Sequence, residues 1–62
     1  MFGVSPTAYL RARRIARARD LLLSGVYSVS EAAREVGYDD ANYFARVFRS
    51  EMGISPSEFM GE

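Results

Sequence analysis

The chain has no cysteine and no histidine, which excludes disulfides, thiolate chemistry and zinc-finger-type metal sites. Lysine is missing as well, so all eight cations are arginine. Without these residue types no Ser-His-Asp, Cys-His or catalytic-lysine constellation can be assembled. The chain therefore reads as no enzyme, with no catalytic residue, no metal and no cofactor. No apolar run approaches the roughly 20 residues of a membrane span, and no membrane partner is expected. The start, Met1 to Pro6, lacks the basic and apolar regions of a secretory signal, so a cytoplasmic location is expected.

What is present suits one small globular domain. The 62 residues are 48% hydrophobic and 26% charged, ordinary for a folded chain, though a core of this size is only marginally stable. The net charge of zero is unevenly spread. Residues 1–30 carry five arginines against Asp20, a net +4; residues 31–62 carry three arginines against seven carboxylates, a net −4. The local patches bear on partners more than the sum does.

The caps divide the chain into helices. Ser5-Pro6 pairs an N-cap serine with proline at the first helical position, and no further breaker appears before Gly25, which predicts a helix over 6–24. Ser28-Val29-Ser30-Glu31 is a capping box opening a helix that runs through Val36, where Gly37 suits a left-handed stop. Asp39 or Asp40 can cap a helix over 41–52, closed by Gly53. Ser55-Pro56-Ser57-Glu58 opens a last helix over 56–60. No segment alternates with a strand period, so the fold class is all-α.

At about 100° per residue, Val29, Ala32, Ala33 and Val36 share one side of their helix. Tyr43, Phe44, Val47 and Phe48 share a side of the next, and these four are expected in the core. Glu51 falls awkwardly beside that apolar arc. The expected core comprises Ile15, Leu22, Val29, Ala33, Val36, Phe44, Phe48 and Ile54. Leu10 and Leu21 lie apart on a second line of the long helix, among Arg13, Arg14 and Arg17, and are expected to be exposed or buried against a second copy of the chain.

The chain also repeats itself. Residues 3–10, GVSPTAYL, match residues 53–60, GISPSEFM, class by class at an offset of 50. The second copy follows a helix that ends in Phe48 and Met52. The chain is thus expected to begin at the tail of one repeat and to contain all of the next, as the second half of a two-unit domain.

Two short helices joined at Gly37, with the small Ala33 four positions earlier, form a helix-turn-helix signature. Its second helix presents Asn42, Arg46 and Arg49 outward at i, i+4 and i+7, with Ala45 beside them. Asn pairs bidentately with adenine, Arg binds guanine or phosphate, and Ala suits a thymine methyl. The arginines at 11–19 are scattered around their helix, which reads as a connector.

With these residues the sequence resembles the C-terminal DNA-binding domain of the AraC/XylS transcriptional regulators. The likeness is carried by Arg14-Ile15, Ala18 and Leu22; by Val29, Ala32-Ala33 and Val36-Gly37-Tyr38; by Asn42-Tyr43-Phe44, Arg46 and Phe48; and by Gly53-Ile54-Ser55-Pro56 with Phe59. It implies a homeodomain-like three-helix unit preceded by a long connecting helix: residues 6–24 as the connector and 28–62 as the second helix-turn-helix unit. It further implies base-facing positions at Ala41, Asn42, Ala45 and Arg46; Arg49, farther along the helix, is expected to bind phosphate or to stand in solvent. The implied partners are double-stranded DNA and a first helix-turn-helix unit of the same parent chain. The rival reading is a protein-interaction module, a homodimer through the 6–24 helix, without DNA affinity of its own.

Overall fold

A computed structural model describes residues 5–61. Gly3 and Val4 of the first repeat lie outside the described residues. Four helices follow in order: α1 Pro6–Leu23, α2 Val29–Glu35, α3 Ala41–Met52 and α4 Pro56–Phe59. Among the described residues there is no strand.

Each helix starts where a side chain satisfies its free amides. The Ser5 hydroxyl accepts from the Ala8 amide at 3.1 Å. The Ser28 and Ser55 capping boxes are both closed, with Glu31 and Glu58 reaching back to the cap amides. Asp40, rather than Asp39, caps α3 and accepts from the amides of Asn42 and Tyr43.

The ends are equally local. The Ser24 hydroxyl donates to the Leu21 carbonyl at 2.6 Å, and Gly25 at φ +79° leaves the helical conformation, so α1 ends at Leu23, one residue before the expected position. Val36 likewise caps α2 instead of extending it. The next residue, Gly37, takes φ +99°, a left-handed conformation that a Cβ disfavours. There the Tyr38 amide donates to the Ala33 carbonyl at 2.8 Å and the Gly37 amide to the Arg34 carbonyl at 3.1 Å. This Schellman closure turns the chain sharply toward α3.

The core gathers Ile15, Ala18 and Leu22 from α1, Ala32, Ala33 and Val36 from α2 and its cap, and Phe44, Val47 and Phe48 from α3. The three alanines let the helices approach closely. Pro56 closes the far end. A row of aromatic rings runs through this core, from Tyr38 to Phe44 at 5.6 Å, Phe48 at 5.7 Å and Phe59 at 5.6 Å. No polar or charged residue is buried among the described residues.

Three expectations about the core need correction. Val29 and Ile54 are half-buried. Val29 opens α2 and packs against the edge of the core, and Ile54 lies in the loop after α3. Tyr43 is 54% exposed, because its direction on α3 leads to a groove rather than to a packed helix. Leu10 is exposed at 49% as expected, but Leu21 packs against the core.

Candidate nucleic-acid interface

The amphipathic pattern of α3 fixes one face and frees the other. Phe44, Val47 and Phe48 are buried, while Asn42, Arg46, Arg49 and Ser50 are exposed. Asn42, Arg46 and Arg49 fall within an arc of about 60° on the free face. Ala45 is half-buried beside this row, and Ala41 is half-buried at the first position of the helix. The expected residues therefore share one helix, with three side chains fully presented and two alanines at their margin.

The charges around this row are sorted by their partners. Among the described residues, the ion pairs are Arg11 with Glu51 and Arg19 with Asp20, each at 3.1 Å. Glu51 lies opposite the exposed row and reaches across to α1, so its carboxylate is turned away from that row. Asp40 is engaged by two backbone amides. Neither Arg46 nor Arg49 meets a carboxylate among the described residues, so both guanidinium groups are left to solvent or to a ligand.

The arginines of α1 are held differently. Arg13 donates to the Tyr9 hydroxyl at 3.3 Å and lies over the Tyr9 ring. That hydrogen bond raises the guanidinium pKa above its already high ordinary value. Arg14 lies over the Tyr38 ring with 5.9 Å to its centroid, bracing the turn between α2 and α3. Among the described residues no group of three or more acidic side chains could hold a metal, and no helix is long and apolar enough to cross a membrane.

Comparison with known proteins gives this arrangement a family. A model described as a helix-turn-helix domain matches residues 1–62. The virulence regulon transcriptional activator VirF of Yersinia enterocolitica is 38% identical over 58 residues, 94% of this chain and 21% of that protein. The HTH-type transcriptional regulator ExsA of Pseudomonas aeruginosa is 39% identical over 57 residues, 92% of this chain and 20% of that protein. The HTH-type transcriptional activator RhaR of Yersinia pseudotuberculosis is 37% identical over the same share of each.

The chain belongs to the AraC-type helix-turn-helix family.

It spans about a fifth of the length of these curated relatives. No solved structure matches it at a significant level. All three relatives are named as regulators of transcription, which agrees with the expectation that the chain is no enzyme. In this AraC-type chain, α2 and α3 are the two helices of the motif and Gly37 lies in its turn.

Two features of the site have no clear signature in the sequence. The Arg11–Glu51 bridge joins residues 40 positions apart, and the only hint of it is a carboxylate beside an apolar arc. The exposure of Tyr43 runs against its place on the helical wheel. Tyr43 lines a groove of about 590 Å³ between the first half of α1 and the motif's turn, together with Leu10, Arg11, Arg14, Tyr38, Asp39 and Asp40.

Proposed function

We propose that this chain is the DNA-reading part of a bacterial transcription regulator, with α3 inserted in the major groove of double-stranded DNA. The observation that carries the reading is the row Asn42, Arg46 and Arg49, exposed opposite the buried aromatic face and, among the described residues, free of carboxylate partners. Asn42 and Arg46, in the first half of the helix, reach base edges, and Ala41 and Ala45 lie close enough for apolar contact with a base. Arg49, farther along, binds the backbone. Residues 6–24 act as the connector and 28–62 as the second unit of a two-unit domain. The first unit covers the exposed N-terminal half of α1. Such a regulator acts on cytoplasmic DNA and needs no cofactor for binding.

The exposed Tyr9 and Leu10 favour a second reading, a homodimer through α1 without DNA affinity. The experiment separates the two. The chain, in the longest form its gene encodes, is used to select duplexes from a random-sequence library. The selected duplex and its single-base variants are then titrated across a range of salt. Arg46→Ala is expected to cost about 1–3 kcal/mol and to relax preference at one base pair. Arg49→Ala is expected to weaken all duplexes alike and to flatten the salt slope. The assignment fails if Arg46→Ala leaves affinity and preference intact or if the two variants behave identically. A library that yields no enriched duplex favours the dimer.

A further inference from the structure

We infer that the hydroxyl of Tyr43 is a phosphate-binding group that sets the seating of α3 on DNA. This inference rests on the proposed insertion of α3 into the major groove, and it concerns a residue outside the reading row. Tyr43 lies about 90° around the helix from the middle of the Asn42, Arg46 and Arg49 row. An α-helix with its side chains is about 10–12 Å across, and the major groove is about 12 Å wide. When the row faces the floor of the groove, a side chain at right angles to it meets the wall, and the walls are sugar and phosphate.

Tyr43 is built to hold that position. Its ring is tilted against Tyr38, with centroids 5.8 Å apart. Tyr38 is itself braced by Phe44 on one side and by the Arg14 guanidinium on another. The phenol therefore loses little freedom when it binds. Among the described residues, the only tyrosine hydroxyl with a hydrogen-bond partner is that of Tyr9. The Tyr43 hydroxyl is free to donate, and more than half of the residue is open to solvent. Arg46 follows one turn later on the same flank.

The charged side chains that line the groove with Tyr43 are balanced, Arg11 and Arg14 against Asp39 and Asp40. Arg11 is paired with Glu51, Arg14 lies over the Tyr38 ring and Asp40 caps α3, which leaves the exposed Tyr43 hydroxyl as a neutral donor beside them. A phenol exposed on the helix surface can donate one hydrogen bond to a phosphate oxygen. Tyrosine is among the side chains that position proteins on the DNA backbone without carrying sequence information.

The test is Tyr43→Phe, which keeps the ring and its packing on Tyr38 and removes only the hydroxyl. The probes are the selected duplex and its single-base variants, with Arg46→Ala and Arg49→Ala run beside it. Affinity for every duplex is expected to fall alike, by about three- to tenfold, with base preference unchanged. The salt slope is expected to stay that of the wild type, because a neutral donor releases no counterion. Wild-type affinity in Tyr43→Phe overturns the inference, as does an altered base preference. If Arg46→Ala and Arg49→Ala behave as expected while Tyr43→Phe does not, only this inference falls. If no duplex is enriched, the reading beneath it falls too.

Discussion

The two Ser-Pro turns of this chain share a sequence pattern and a backbone, yet they differ in what covers them. Ser5 has φ −74° and ψ 157°, and Ser55 has φ −71° and ψ 159°. In both, the serine hydroxyl accepts an amide three residues on, and proline opens the helix. Beyond that the copies diverge. Pro56 is buried, Phe59 meets Phe48 edge-on, and Met60 packs against the core. Pro6, Tyr9 and Leu10, the matching positions, are all exposed. The local sequence sets the local conformation. Burial depends on the helix before it, and within the described residues only the second copy follows a helix of the α3 kind.

The largest expected effect tests whether one core supports both copies. Phe44 is fully buried between Tyr38 and Phe48, so Phe44→Ala should cost about 3–5 kcal/mol. That is as much as the whole core of a domain this small supplies. The expected result is loss of the cooperative thermal transition in circular dichroism, with α1 and α4 melting together. A transition unchanged from the wild type would remove Phe44 from the core.

The next effect separates the copies. Phe59→Ala removes a ring that contacts Phe48 and should cost roughly 2 kcal/mol, less than a fully buried phenylalanine. Tyr9→Ala, the same position in the first copy, should stay within about 0.5 kcal/mol, as exposed sites do. Urea unfolding of the two variants measures the gap. Equal costs would mean that Tyr9 is covered in solution, by another copy of the chain or by its own.

This contrast also marks how far the sequence alone reaches. Hydrogen bonds within three or four residues were legible, so Ser5, Ser28, Asp40, Ser55 and Gly37 place the helices to within about a residue at each end. The exposed row of α3 was legible too, because the aromatic arc opposite it is unmistakable. The fate of Tyr43 and Leu21 was not. A helical wheel gives the direction of a side chain, and whether anything stands in that direction is a tertiary fact. Tyr43 points toward the groove beside the first half of α1. Leu21 points away from Ile15 on the wheel, yet the chain turns back at Gly25 and brings Tyr27 and Val29 to the same core. The Arg11–Glu51 bridge was hidden for the same reason.

The smallest effect sharpens the comparison most, because it acts where the two copies are alike. Replacing a capping serine by alanine typically costs about 1 kcal/mol. In the second copy the capped turn carries Pro56 and Phe59 onto the core, so it cannot be given up without losing that packing. Ser55→Ala should therefore show the full cost. In the first copy the capped turn opens a stretch of α1 that holds no buried residue before Ile15. When Ser5 loses its hydroxyl, that stretch can fray while the core stays intact, because local opening of an exposed end is not tied to global unfolding. Ser5→Ala should then cost less than about half as much in urea unfolding. Its main signature should be faster hydrogen exchange at the first amides of α1. Equal global costs would show that the first half of α1 is held as firmly as α4, and the difference between the two turns would vanish.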